Sequence, residues 1–508
     1  MKFSNRFFII TAICCFGLNS CDVNKEVYSD ILQDDYYKTP EQFATLIANA
    51  YSQLAGEQGY VYREGYWSMQ EYTSDEVVVP TRGTDWYDGG VPQRMHLQTW
   101  EVNTRDINNG WSFAYGGVAK CNDVLSKIKT IKGDDEAEYD AVTIAGIAET
   151  KVLRAFYHLL AMDLYGNASI SDGVNPVKQN SRTEIFEWID KEIKDNLPAL
   201  DRKVRYGSVT APVAHAMLAK LYLNAEVYTG TPRWQDVVNE CDSIINGGYG
   251  YFLNADYFTT FKKDNEKNME IIFPVVFDEK YAQGNMFHLM TLHYVQQQVY
   301  NFTTPTWNGP CTLKSFYDKY DNADKRKAQW FVGPIQKDGV TLTYSNATLN
   351  NVPAIIVPEV TTIEDPTAAN TFEGARFIKF EIEQGIDHHA NSDFPIYRYA
   401  DILLMKAEAL MRLNGGVANG EALNLVNQVH TRAGLAPYTS LNLTELLNER
   451  GRELAWEGHR RQDQIRFGTF TTGMWEFMQP RTPNRSIFPI PQWVLDANPS
   501  VYTQNNWE

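Results

Sequence analysis

Apolar residues recur every three to four positions along much of the chain, and that spacing predicts helices. Thr39-Pro40-Glu41-Gln42 reads as a helix start, with a capping threonine, a proline in the first turn and a glutamine three residues on. The helix it opens carries Phe43, Leu46, Ile47, Ala50, Tyr51 and Leu54 on one face. Further helices are predicted at 107–131, 137–165, 211–228 and 234–245, then at 399–413 and 421–432. Two of them alternate small and large residues at helical spacing: Ala155, His158, Leu159, Met162 and Tyr165 in one, Ala214, Met217, Leu218, Leu221 and Ala225 in the other. Such faces are buried by stacking helix pairs, as in degenerate tetratricopeptide repeats.

A last helical stretch, Glu449 to Gly468, reads ERGRELAWEGHRRQDQIRFG. On a continuous helix, Glu449 and Arg452, Glu457 and Arg460, Glu457 and Arg461, and Asp463 and Arg466 share faces. Arginine in place of lysine, with Trp456 and Phe467 interleaved, predicts a partly buried ion-pair lattice. The alternative is a site, in which the arginines grip an anion or paired carboxylates act as acid and base. No nucleophile or metal motif adjoins it.

From 56 to 106 and from 247 to 397 the periodicity fades, while glycine, proline and aromatic residues accumulate around short strand-like runs at 271–277 and 354–357. Loops this long and this aromatic are functional and not disordered. The reading is therefore a mostly α fold in a single domain, 39–508. Tetratricopeptide-like helix pairs form a scaffold, mainly 107–246 and 398–468, and an irregular lobe with short strands, mainly 56–106 and 247–397, binds the ligand.

The first residues alter where this domain works. Lys2 and Arg6 precede an apolar run, Phe7 to Leu18, shorter than the roughly 20 residues of a membrane span. Residues 1–20 are read as an export signal. Leu18-Asn19-Ser20-Cys21 looks like a bacterial lipobox, with cleavage before Cys21, a lipid on its sulfur and residues 21–38 as a polar tether. The formal charge of −17 argues against nucleic acid and anionic headgroups as partners. Beyond the signal and Cys21 only Cys121, Cys241 and Cys311 remain, which make neither a disulfide framework nor a zinc site. GxSxG, HExxH, phosphate-loop and GxGxxG motifs are lacking, and the nine histidines have no ligand spacing. No catalytic residue, metal or cofactor is expected.

An aromatic content of 13% leaves flat faces for a neutral ligand. In Gly83-Thr84-Asp85-Trp86-Tyr87-Asp88-Gly89-Gly90, glycines flank two rings and two carboxylates. Trp86, with Tyr87 second, is the candidate stacking platform for a sugar, and Asp85 and Asp88 are the hydroxyl acceptors. Trp307, Tyr300 and Asn308 are assigned to a second wall and Arg376 to a donor. Equally open is a structural role in which Trp86 plugs the core beneath a turn.

Four ordered motifs carry a resemblance: RYADILLMKAEA at 398–409, NQVHTRAGL at 427–435, the charged stretch at 449–468, and Phe488-Pro489-Ile490-Pro491 with Asn498-Pro499. With the lipobox, the chain resembles the SusD/RagB family of outer-membrane nutrient-binding lipoproteins. His430 stands where the family often has arginine, and Gln462 and Gln464 where an apolar residue is commoner. The resemblance implies a helical fold, and a cell-surface lid on a SusC-like TonB-dependent transporter that binds oligosaccharide and is not an enzyme. It transfers no site residue, because the family's ligand loops differ greatly between members. Capture of peptides or another non-sugar nutrient is the alternative from the same fold, and a lipid-anchored glycosidase the alternative from another class.

Overall fold

The computed structural model describes residues 37, 39–56 and 58–508; the export signal, Cys21 and all of the tether but Tyr37 lie outside the described residues. Helix α1 (Pro40–Tyr51) opens with the expected capping box: the Gln42 amide donates to the Thr39 hydroxyl at 3.3 Å and the Thr39 amide to Gln42 Oε1 at 3.0 Å. A short buried helix, α2 (Tyr66–Glu71), follows. Then come α3 (Arg105–Lys132), α4 (Ala141–Tyr165), α5 (Arg182–Asn196), α6 (Ala211–Leu223) and α7 (Trp234–Ile245). Near the C-terminus lie α8 (Tyr399–Leu413), α9 (Gly420–Arg432), α10 (Leu443–Leu454) and α11 (Arg460–Arg466). Helix α3 packs on α4, α4 on α5, α6 on α7, α7 on α8 and α8 on α9. This is the mostly helical scaffold of successive pairs that the spacing predicts.

Helix α4 is buried on nearly every side from Ala148 to Tyr165, the mark of a helix inside the stack and not on its surface. Helix α5 went unpredicted, although Ser181 and Glu184 form a second capping box at its start. Among the described residues the one strand pair longer than two residues is β1 (Ile271–Val275) against β2 (Phe394–Arg398), antiparallel and wholly buried. The irregular lobe is tied to itself by two-residue ladders. Thr81–Arg82 runs parallel to Glu364–Asp365, and Arg376–Phe377 antiparallel to Trp330–Phe331. Of two adjacent histidines, His388 is exposed and His389 is buried. The tail keeps many exposed residues, but it sinks Phe488 and Ile490 into the core.

The charged stretch near the C-terminus differs from its predicted form. It is not one helix: α10 ends at Leu454, and Trp456 and Gly458 take left-handed backbone angles (φ 62° and 80°) before α11 begins. The turn swings Glu457 off the face of Arg460 and Arg461, so those two predicted pairs do not form. Glu457 binds Arg398 Nε at 2.7 Å and also Lys379; Arg460 reaches Asp75 at 2.6 Å and Arg461 reaches Asp163 at 2.8 Å. The pairs that stay within one helix do form: Glu449 with Arg452 and Asp463 with Arg466, each at 2.7 Å.

The centre of the lattice is fully buried. Arg398 on β2 bridges Glu270 (3.0 Å) and Glu453 (2.6 Å), and Arg326 bridges Glu449 (2.9 Å) and Glu453 (3.1 Å), with no exposed side-chain surface on any of them. Burial pushes the Glu453 carboxyl up, but the guanidiniums of Arg432, Arg398 and Arg326 overcome it and hold the group well below the usual carboxylate range. Above the turn, the Trp456 ring stacks on Phe377 (4.3 Å between centroids, 14°), and its carbonyl accepts the Trp67 indole N–H at 3.1 Å. Trp456 is thus one of the residues at which scaffold and lobe meet.

Candidate functional site

A cleft of about 450 Å³ opens in the lobe, lined by Arg63, Asp85, Trp86, Asp88, Tyr294, Pro305, Thr306 and Trp307. Two segments far apart in sequence build it. The first is the loop 83–90, where left-handed φ values crowd together: Gly83, Trp86, Asp88, Gly89 and Gly90. The glycines adopt this region freely, whereas Trp86 (60°) and Asp88 (44°) carry strain that the surrounding contacts must hold. The Gln93 amide does part of this, donating to the Trp86 carbonyl at 3.0 Å and to the Val79 carbonyl at 2.9 Å.

The second segment is 305–309, fixed by the amides of Trp307, Asn308 and Gly309 donating to the carbonyls of Leu289, Leu292 and Met290 at 2.7–2.9 Å. Gly309 is required here, because a Cβ would overlap the Trp86 indole lying against it. The Trp86 Nε1–H donates to the Trp307 carbonyl at 2.7 Å, and the two indoles stand 6.4 Å apart, inclined at 47°. Both are half-buried, so each leaves part of a face to the cleft. Trp86 therefore plugs and presents at once: one edge is packed, the other open.

Charge lines the rim. The Arg63 guanidinium sits 5.1 Å from the Trp307 ring centre and 5.9 Å from that of Trp86, and is steered by Glu64 at 3.0 Å. The exposed Asp85 carboxylate accepts the Tyr294 hydroxyl at 2.6 Å, and the Tyr294 ring stacks on Tyr344 at 5.9 Å. Burial, then this hydrogen bond, raises the Tyr294 hydroxyl above the usual tyrosine range, so it stays a donor. Asp88 lies 3.9 Å from Arg105 and keeps an exposed edge. Flat apolar faces with ionised acceptors and a cationic donor at their margins suit a ligand with both C–H faces and hydroxyl groups.

The structure gathers Asp85, Trp86, Asp88 and Trp307 from the sequence-based candidates into this cleft and leaves four out. Tyr87 is 53% exposed beside it. Tyr300 stacks on Phe302 (5.5 Å) in a neighbouring apolar cluster with Leu289, Leu292 and Ile386. Asn308 and Arg376 have no exposed surface and are corrected to supports: Arg376 donates to Asn308 Oδ1 at 2.7 Å and to the Thr371 carbonyl at 3.0 Å. The Asn308 amide also donates to the Thr371 carbonyl, at 2.9 Å, and Arg82 Nε to the Asn308 carbonyl, at 2.8 Å. A buried arginine whose two terminal nitrogens both end on carbonyl or amide oxygens is a fastener under the loop and not a donor to a ligand. Arg63 and Tyr294 escaped selection. The aromatic neighbours of Arg63 in YVYREGYW were the signal available for it, and Tyr294 falls in the same aromatic run as Trp307.

Comparison with known proteins agrees with this architecture. Residues 241–507, more than half of the chain, match the family model described as the SusD family. The chain is 25% identical over 409 residues to the starch-binding protein SusD of Bacteroides thetaiotaomicron, covering 72% of each. Its fold is similar to that of surface glycan-binding protein A from Bacteroides thetaiotaomicron, with a TM-score of 0.75 at 21% identity over 93% of this chain and all of the other. The same protein in complex with laminarihexaose gives a TM-score of 0.73 at 20% identity over 92% and 99%. The helical pairs, the buried arginine lattice and the family match over the C-terminal half lead to one conclusion: the chain belongs to the SusD family.

Proposed function

We propose that the chain is a cell-surface lipoprotein of the outer membrane, anchored through Cys21, that captures a neutral oligosaccharide in the Trp86–Trp307 cleft and delivers it to a SusC-like TonB-dependent transporter. The observation that carries this reading is the pair of half-open indoles with Asp85, Asp88, Tyr294 and Arg63 around them. A pyranose lays its C–H face on an indole and turns its hydroxyls outward, where carboxylates accept and a guanidinium or phenol donates.

Charge supports a neutral sugar. Asp85, Asp88 and Glu64 at the rim outnumber Arg63 and Arg105, which are already engaged with them, and an anionic glycan would meet net repulsion in an acidic protein. Starch, named for one relative, and laminarihexaose, bound by another, are both built of glucose, so glucose oligosaccharides are the first ligands to test. The role is binding and not catalysis.

The deciding experiment incubates the chain lacking residues 1–21 with glucose polymers and with neutral peptides, measuring both retention and release of reducing ends. Retention of an oligosaccharide without new reducing ends is expected. Retention of peptide alone would assign the cleft to another nutrient, and accumulating reducing ends would make the protein a glycosidase. Labelling with a fatty-acid analogue in cells is expected to mark the full chain and leave Cys21→Ala unmarked.

A further inference from the structure

Against the left-handed turn at 456–458, buried carboxyls outnumber the cations that touch them. Glu71 ends α2, and Glu76 begins the segment that runs through 77–82 to Trp86. Both are buried, and both accept amides of the left-handed turn: the Gly458 N–H reaches Glu71 Oε1 at 2.6 Å, and the Trp456 N–H reaches Glu76 Oε2 at 3.0 Å. The second Glu71 oxygen meets no N–H or hydroxyl donor, and the amides that hold the two carboxyls are only two residues apart, which sets Glu71 and Glu76 side by side.

The surrounding groups are spoken for. Arg460 forks onto Asp75 (2.6 and 2.9 Å) and stays 3.6 Å from Glu76. Lys379 binds Glu457 and the Ala455 carbonyl. Tyr60 faces Glu71 and Tyr320 faces Glu76, as neutral phenols. Two carboxyls set side by side can hydrogen-bond only if a proton lies between them, and Arg460 and Lys319, which both lie against Asp75, cannot also neutralise Glu71 and Glu76 together.

We propose that Glu71 and Glu76 share one proton in the folded protein, and that this singly charged pair is the clasp holding the turn 455–459 against the segment that leads to the cleft. The titration of the pair agrees. Burial, followed by the neighbouring Glu76, raises Glu71 well above its ordinary value, and burial raises Glu76 to about 7. Between 4.5, where an unfolded glutamate titrates, and about 7 or higher, the folded state holds more protons than the unfolded one. Stability contributed by the clasp therefore falls as pH rises through that window. Once the proton leaves, two anions face each other with one shared cation, and the amides of Trp456 and Gly458 lose a fixed acceptor.

The test compares the soluble chain with Glu71→Gln and Glu76→Gln, by urea denaturation and by hydrogen exchange corrected for intrinsic rates, from pH 5 to 9. A glutamine keeps one acceptor and supplies a permanent donor, so Glu71→Gln should match the parent at pH 5 and become more stable than it above pH 7. Protection at Trp456 and Gly458 should fall on the order of tenfold per pH unit once the parent loses the proton, and stay flat in the variant. Parallel pH profiles for parent and both variants would overturn the shared proton. So would a loss of stability in Glu71→Gln that is the same at every pH while Glu76→Gln also keeps the parent's slope.

Discussion

At the scale of single residues, the cleft depends on Trp86 being held where tryptophan seldom goes. Its left-handed backbone, the Gln93 hydrogen bond and the bare Gly309 beneath its ring act together to turn one indole face outward. Replacing Gly309 by alanine should push the ring off its seat and weaken sugar binding while the helical circular dichroism stays unchanged; retained affinity would show that the seat does not matter. Asn308 tests the other side of the argument. It is buried and bonded to Arg376 and Thr371, so Asn308→Ala should cost about 1–3 kcal/mol in urea denaturation through orphaned partners. Unchanged stability with lost binding would return Asn308 to the ligand side.

These residues also mark what the sequence could tell. Trp86, Asp85 and Asp88 were legible because glycines bracket them, a local property. Arg376 and Asn308 looked like ligand donors because a polar residue in an aromatic loop reads the same whether it faces solvent or the underside of that loop. Arg63 was passed over for the converse reason: its role exists only once the indoles of Trp86 and Trp307, remote in the chain, arrive on either side of it.

At the scale of elements, most of the long helices followed from apolar spacing, and α1 from its caps, while α2, α5 and the break between α10 and α11 did not. Nothing local in LAWEGHRR forbids a continuous helix apart from Gly458. The turn is fixed by tertiary contacts: Trp456 stacked on Phe377, its carbonyl bonded to Trp67, and its amide held by Glu76. The break changes the ion-pair wiring, so that Glu457 fastens Arg398 of β2 and Lys379 in place of its own helix. Glu457→Ala leaves both cations buried without that partner and should lower stability by roughly 3–5 kcal/mol, measured as a drop in the denaturation midpoint. Sugar affinity per folded molecule should be unchanged. A variant as stable as the parent but unable to bind would make this stretch a site after all.

Across the whole molecule the titrating groups divide by sign. The Arg-paired carboxylates of the lattice are held low. For Asp401, burial raises the carboxyl, but Lys220 and Arg450 bring it down to about 2, and Glu453 and Glu408 are likewise depressed. Their contribution is complete above the unfolded values of 3.8 and 4.5 and is lost as pH falls toward 2. Asp106 and Asp393, both raised by burial to about 6, join the Glu71–Glu76 clasp in opposing stability as pH rises. Thermal melts should therefore trace a dome with its maximum near pH 5, falling on the acid side as the lattice is protonated; a profile still rising from pH 5 to 8 would contradict this assignment.

The scaffold's regularity and the lobe's irregularity then divide the labour of the molecule. Buried arginines fix the helices, and loops hung from them bring two tryptophans together. The most direct test of that account is calorimetric titration of the chain lacking residues 1–21 with glucose oligosaccharides, for the parent, Trp86→Ala and Trp307→Ala. Each variant should lose about 2 kcal/mol or more of binding free energy, on the order of 30-fold in Kd, with a denaturation midpoint near the parent's. Variants that bind as the parent does, or that lose stability while binding normally per folded molecule, would contradict the claim that these indoles are the sugar platform.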